Sequence, residues 1–299
     1  MKRYLQRVVF CTEGEWPEGT GPEDKVPGRL QPEEKIREKF QKHTPEEGTL
    51  YITDSEICLC VLKEKGLPVA AWLHEGNRKQ DLSAAMYAVE SPEVLDMDFY
   101  EKIYRREKGI PWEILKTDRC LVREMVPEDA ESFYDMYQEP AICKYMTDFH
   151  GDVAGEEAYI REYQQKYRFF GHGVWSIVLK ETGQVIGRAG FSETEDFAGI
   201  QIVSGKERIV SEDGEMEEAS LPCLGYMIGV PWQGQGLALE VCKAILDYAK
   251  AELGFHKVQL FVEQSNEASM GLSKKLGFTD AGWAVEGKGS KVVRRVLAL

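Results

Sequence analysis

Apolar positions along this chain follow two periods, and the changes of period mark out its elements. Thr49-Leu-Tyr-Ile-Thr53 and Leu67-Pro-Val-Ala-Ala-Trp72-Leu73 are short apolar runs that read as strands. Between them, Asp54-Ser55-Glu56 places capping oxygens ahead of a helix that runs to Lys65 and is closed by Gly66. Residues 85–90 read as a third strand and residues 98–108 as a helix. Alternation of strand and helix predicts a small parallel α/β unit over residues 1–115. Residues 12–47 hold most of the early Pro, Gly and Glu and read as loop, with a helix near residues 32–42. Asp54 stands at a strand end, where open α/β sheets place functional residues, but an Asp before a helix start is also a plain cap.

Further along, residues 117–125 read as a strand, and Pro127 occupies an early helical position. A helix over residues 156–169 precedes two strands, 175–180 and 184–191, with Glu181-Thr-Gly183 as a hairpin turn. The apolar run 224–230 ends in Pro231-Trp232, and Gln233-Gly234-Gln235-Gly236-Leu237-Ala238 follows. A stretch without Gly or Pro comes next, with Val241, Ile245, Tyr248 and Ala249 on one helical face and Gly254 past its end. Lys257-Val-Gln-Leu-Phe-Val-Glu263 then alternates as a strand.

The glycine turn is where chemistry enters. Near-adjacent glycines at a helix start leave backbone N–H groups bare, and the positive end of the helix dipole adds to them, which suits a phosphate or pyrophosphate. A Walker loop needs Gly-Lys-Ser/Thr, whereas Gly236 is followed by Leu237-Ala238, so that reading fails. A dinucleotide fingerprint wants Gly or Ala where Leu239 stands, although Glu263 meets its demand for an acidic residue at the next strand end. A turn ahead of a core helix gives the same letters with no ligand at all. A third phosphate pattern, Gln/Arg-x-x-Gly-x-Gly/Ala, is met by Gln233, Gly236 and Ala238. Beyond it, in Asn266-Glu-Ala-Ser269-Met-Gly-Leu272-Ser273-Lys-Lys275-Leu-Gly277-Phe278, Asn266 is placed to cap a short helix. Leu272 and Leu276 share its buried face and Gly277 ends it.

Together and in this order, the two segments resemble the two halves of the GNAT acetyltransferase signature, the second being Asn-x-x-Ala/Ser-x-x-Leu-x-x-Lys-x-Gly-Phe. The opening Leu121-Val-Arg123-x-x-x-x-Glu128-Asp129 resembles the branch that holds the RimJ and RimL protein acetyltransferases. The resemblance implies an α/β (α+β) domain over residues 116–299 with a mixed, mostly antiparallel central sheet flanked by helices. It implies acetyl-CoA as co-substrate, attacked directly by a primary amine within a ternary complex. Met227, Ile228, Gly229 and Val230 would then line the pantetheine arm, with Asn266 and Ser269 beside it. Gln233, Gly234, Gln235, Gly236, Leu237 and Ala238 would hold the pyrophosphate. A backbone N–H of the strand 224–230 would stabilise the thioester oxygen. The amine must shed a proton, and Glu193 is the first candidate base, with the acidic residues before Leu221 as substitutes. Many members carry a tyrosine acid where this chain has Ser273, a hydroxyl that can hydrogen-bond sulfur or hold a water. That departure keeps open a catalytically silent acyl-CoA sensor, and a dinucleotide-binding enzyme remains the other alternative.

Composition narrows the partners. Asp and Glu total 51 against 37 Lys and Arg, a net charge of −14, which argues against nucleic acid. Residues 193–218 hold nine carboxylates against Lys206 and Arg208, and such an insert near a cleft would concentrate a cationic acceptor. Residues 199–210 alternate around Gly205 as if for an extra hairpin. No apolar run approaches the ~20 residues that cross a bilayer, and no signal core precedes Cys11. Seven scattered cysteines without zinc-like spacing predict free thiols, no metal and a cytoplasmic setting. The expected partners are acetyl-CoA and an amine: a protein N-terminus, a polyamine or another small amine. A homodimer is left open.

Overall fold

The structure is a computed structural model that describes residues 3–11, 46–146, 150–192, 201–202, 208–210, 216–218, 221–285 and 291–299. The helix expected near residues 32–42 lies outside the described residues. The chain divides into two compact units, Met1–Trp112 and Glu113–Leu299.

In the first unit, β1 (Arg7–Cys11), β2 (Thr49–Thr53), β3 (Val69–Trp72) and β4 (Ala88–Val89) form a parallel sheet in chain order. Alternate residues of a strand point to opposite faces. Tyr51 therefore packs with Leu59 and Leu62 of α1 (Glu56–Glu64), while Leu50 and Ile52 pack with Tyr100, Ile103 and Tyr104 of α2 (Met97–Glu107). Every residue of β2 is buried, which is why a continuous apolar run rather than an alternating one marks it. β1 is an addition to the strands read from the pattern, for Arg7-Val-Val-Phe-Cys11 is short and follows charged residues.

Two polar networks hold this unit. Ser55, not Asp54, caps α1, its hydroxyl accepting from the Cys58 N–H at 3.4 Å. The Asp54 carboxylate meets His74 Nε2 at 3.2 Å, and His74 Nδ1 accepts the Gly76 N–H at 3.1 Å. Asn77 Nδ2 donates to the carbonyls of Asp54 and Trp72 at 3.1 and 2.7 Å. The segment after β3 is thus pinned to the end of β2. In α2, buried Glu101 pairs with buried Arg105 at 2.8 Å and accepts the N–H groups of Tyr4 and Leu5 at 3.0 and 2.7 Å. Burial pushes the Glu101 carboxyl up, but these hydrogen bonds and the guanidinium outweigh it and hold it below the usual range.

The second unit is built on nine strands in the order β5-β6-β7-β8-β12-β13-β15-β14-β9. These are β5 (Glu113–Lys116), β6 (Cys120–Arg123), β7 (Val174–Leu179), β8 (Val185–Ser192), β9 (Gln201–Ile202), β12 (Cys223–Ile228), β13 (Lys257–Glu263), β14 (Thr279–Val285) and β15 (Lys291–Ala298). A separate antiparallel pair joins β10 (Arg208–Val210) to β11 (Met216–Glu218). The two described strands of the segment 199–210 do not pair with each other, as the expected hairpin requires: β9 pairs with β14 and β10 with β11, and Gly205 lies outside the described residues. All neighbours in the large sheet are antiparallel except β12 and β13.

The helices of this unit are α3 (Ala130–Tyr137), α4 (Pro140–Cys143), α5 (Val153–Phe170), α6 (Leu237–Ala251) and α7 (Glu267–Lys275). Strand parity sorts them. Ser176 reaches Asp129, just ahead of α3, while its neighbour Trp175 meets Tyr248 of α6 edge-on at 6.0 Å. The Arg123–Asp129 motif is a clamp. Two hydrogen bonds of 2.7 Å join the guanidinium to the carboxylate, which also accepts the Val126 N–H and the Ser176 hydroxyl. It fixes the turn from β6 into α3. Among the described residues no helix is long and apolar enough to cross a membrane. All seven cysteines are free.

Candidate active site

The large sheet opens at one seam. β8 and β12 pair from Cys223↔Ser192 through Ile228↔Gly187, but β12 and β13 share the single register pair Cys223↔Gln259. Beyond it the two parallel strands part. The Gln259 N–H donates to the Pro222 carbonyl at 3.0 Å and its side chain to the Leu221 carbonyl at 2.9 Å. The next inward amide, that of Phe261, goes to the Cys223 sulfur.

Pairing parity tells which groups face the opening. The Gly229 N–H donates to the Ile186 carbonyl at 2.9 Å. Antiparallel alternation then aims the amides of Gly225 and Met227 at β8, and those of Tyr226 and Ile228 away from it, into the seam. Side chains alternate as well. Met227 lies opposite Arg188, which is buried among the rings of Phe133, Tyr137 and Tyr159 and bonded to Glu156 and Tyr137. Tyr226 points the other way and donates its hydroxyl to Ser269 Oγ at 2.9 Å. Burial pushes its phenol up to about 12, so it stays an O–H donor at neutral pH.

The glycine turn follows directly. Gly234 and Gly236 have φ of +72° and +78°, the left-handed region that a Cβ disfavours. Gly236 is the residue from which α6 starts, and the first hydrogen bond of the helix runs from the Glu240 N–H to the Gly236 carbonyl at 3.1 Å. The N–H groups of Leu237, Ala238 and Leu239 have no acceptor within the helix and lie at its positive end. The Gln233 and Gln235 side chains shape the turn, donating to the carbonyls of Ile228 and Pro231 at 2.8 and 3.0 Å.

Arg119 belongs to no motif in the sequence, yet it lies against this turn. Its Nε donates to Glu240 Oε2 at 2.7 Å, its Nη1 to the Gln235 carbonyl at 2.9 Å, and its backbone N–H to Glu240 Oε1 at 2.9 Å. Burial alone would raise the Glu240 carboxyl. The Thr117 hydroxyl and the Arg119 amide and guanidinium together hold it below the usual carboxylate range. The one hint in the sequence was Glu240 itself, an acidic residue in the first turn of an anion-binding helix.

On α7, Asn266 Oδ1 accepts the Ser269 N–H at 3.0 Å and caps the helix. The wholly buried residue of this helix is Ser273, whereas Leu272 and Leu276 are half-buried. Ser273 Oγ donates to the Met270 carbonyl at 3.0 Å and accepts from Arg295 Nη1 at 2.6 Å. Its hydroxyl is satisfied inside the fold. Tyr145, after α4, reaches the far end of β13, where its hydroxyl bonds the Ser265 carbonyl at 3.1 Å. Glu193 and most of the acidic insert lie outside the described residues. Among the described residues no group of three or more His, Cys, Asp or Glu could hold a metal ion.

A family model described as an acetyltransferase (GNAT) domain matches residues 119–279, more than half of the chain. The chain belongs to the GNAT acetyltransferase family. It is an N-acetyltransferase by this membership, and acetyl-CoA is the acyl donor of the family. The uncharacterised N-acetyltransferase p20 of Bacillus licheniformis is 29% identical over 172 residues, covering 57% of this chain and 84% of that protein. The [ribosomal protein uS5]-alanine N-acetyltransferase of Escherichia coli (strain K12) is 27% identical over 184 residues, covering 59% and 83%. The solved ribosomal-protein-S5-alanine acetyltransferase of Vibrio fischeri aligns with a TM-score of 0.48 at 13% identity, covering 62% of this chain and 95% of that one. As the dinucleotide reading required, β12 and β13 are parallel strands on either side of the glycine turn. The family match nevertheless places that turn within an acetyltransferase domain.

Proposed function

We propose that the second unit moves the acetyl group of acetyl-CoA to the α-amine of a protein N-terminus. The observation that carries this reading is the seam that opens after Cys223 beside the glycine turn. Residues 233–238 and the first amides of α6 receive the pyrophosphate. The pantetheine arm runs along Met227–Val230, flanked by Asn266 and Ser269. The amide of Tyr226 or Ile228 donates to the thioester oxygen as it gains charge. The amine nitrogen bonds the carbonyl carbon, the C–S bond breaks, and the amine proton passes to a base, for which Glu193 is our choice. The hydroxyl pair of Tyr226 and Ser269, rather than the internally bonded Ser273, is the O–H available to the departing sulfur.

The name of one relative favours a protein acceptor over a polyamine, because the Escherichia coli enzyme acts on alanine of a ribosomal protein. Seven free thiols fit a cytoplasmic setting. The parallel unit Met1–Trp112 serves as an accessory to the transferase in this reading. The test is a thiol-release assay with acetyl-CoA against N-terminal peptides, spermidine and an aminoglycoside. Peptides with a free α-amine should turn over fastest, and their N-acetylated forms should not react. Turnover of spermidine or the aminoglycoside with inert peptides would overturn the choice of acceptor.

A further inference from the structure

We propose that Arg119 is a resident cation of the cofactor phosphate site, with its uncommitted guanidinium N–H groups bound to the pyrophosphate of CoA. The proposal rests on the reading that residues 233–238 hold that pyrophosphate.

Residues 224–239 contain no Lys or Arg, so the turn itself meets a polyanion with backbone dipoles alone. Worse, Glu240 puts a carboxylate in the first turn of α6, where it would repel the phosphates. Arg119 resolves the conflict. It neutralises Glu240 through Nε and through Nη2, which stands 2.7 Å from Oε2, and Nη1 is tied to the Gln235 carbonyl. A guanidinium has five N–H groups. These contacts use three, leaving one on Nη1 and one on Nη2. The side chain is 46% exposed, so those two donors are open to a ligand. They are also in the right place: Nη2 lies 3.6 Å from where a Cβ on Gly236 would sit, at the centre of the turn. Glu240 and the Gln235 carbonyl act as a bracket. They hold a planar fork at fixed orientation before any ligand arrives, so little side-chain freedom is lost on binding.

The test compares wild type, Arg119→Gln and Arg119→Lys by calorimetric titration with CoA, 3′-dephospho-CoA and pantetheine, each variant first checked for a cooperative melt. Arg119→Lys keeps the charge and covers the case in which Arg119→Gln does not fold. We expect Arg119→Gln to weaken CoA and 3′-dephospho-CoA alike, by about tenfold, with pantetheine unchanged. Arg119→Lys should lose part of that, because a point charge replaces the fork. The dependence of CoA affinity on salt should flatten in Arg119→Gln. Unchanged CoA affinity in a folded Arg119→Gln would overturn the proposal. So would an equal loss for pantetheine, which would make Arg119 a tether of the turn only. A loss confined to CoA would move the contact to the 3′-phosphate and overturn the pyrophosphate assignment. If wild-type protein bound CoA no better than pantetheine, the underlying reading of the turn would fail instead.

Discussion

A single methyl group at Gly236 tests the phosphate turn. Gly236 sits at φ +78°, where an L-residue pays steric strain of roughly 1–2 kcal/mol. Gly236→Ala adds no overlap, since the nearest heavy atom to the new Cβ is Arg119 Nη2 at 3.6 Å, an ordinary contact. The stability cost is therefore strain alone. For a unit of this size each kcal/mol lowers the melting temperature by about 2–4 °C, so a fall of about 2–8 °C is expected. The effect on ligand is larger. A Cβ here projects where an anion approaches the bare amides, and each charge-assisted hydrogen bond lost is worth about 1.5–3 kcal/mol. One such bond is enough for at least a tenfold loss of CoA affinity, by about 1.4 kcal/mol per factor of ten. Gly234→Ala supplies the reference for strain, with φ +72° and nothing within 4 Å of its Cβ. Thermal denaturation with and without CoA, together with calorimetry, separates the two effects. If Gly236→Ala melted with wild type, the left-handed turn would be refuted. If it folded and bound CoA unchanged, the pyrophosphate would bind elsewhere.

Two further outcomes follow from buried polar groups. Ser273→Ala removes the acceptor of an Arg295 N–H and should destabilise the second unit by about 1–3 kcal/mol in urea unfolding, while turnover stays near wild type. A large loss of turnover with unchanged stability would restore Ser273 to the chemistry. Glu101→Gln strips Arg105 of its buried partner and should cost the first unit about 3–5 kcal/mol, read from denaturant midpoints. Because the folded Glu101 carboxyl is held below its ordinary 4.5, its contribution is fully present above that pH and is lost as pH falls through the depressed value. The variant should therefore lack part of the wild-type acid sensitivity below about pH 4.5, and identical acid melts for the two proteins would contradict the assignment.

Local signals were legible and distant ones were not. The glycine turn, α6 and the Asn266 cap each depend on neighbours within a few residues, so their letters carried them. The opening of the seam does not. It turns on Cys223 and Gln259, whose pairing is a property of the assembled sheet. Ser273 occupies a position the signature marks, but its meaning is set by Arg295 arriving on β15, 22 residues later. Arg119 and Glu240 are 121 residues apart, and Arg119 does not stand out until Glu240 is placed beside it. Asp54 reads as a cap until His74 is placed beside it. In each case the missing information was a partner, not a residue type.

The parting of β12 from β13 has a consequence for the chain when it is empty. Where the strands separate inside the sheet, β12 presents an interior border, with the amides of Tyr226 and Ile228 turned away from β8. Sheet borders are where a strand from another molecule can attach, and proteins usually guard them with charge or a bulge. β12, Cys-Leu-Gly-Tyr-Met-Ile, has no charged residue with which to do so. Its protection has to come from whatever fills the opening. With the pantetheine arm seated along this strand as proposed, the coenzyme would also be the cover of an uncharged border.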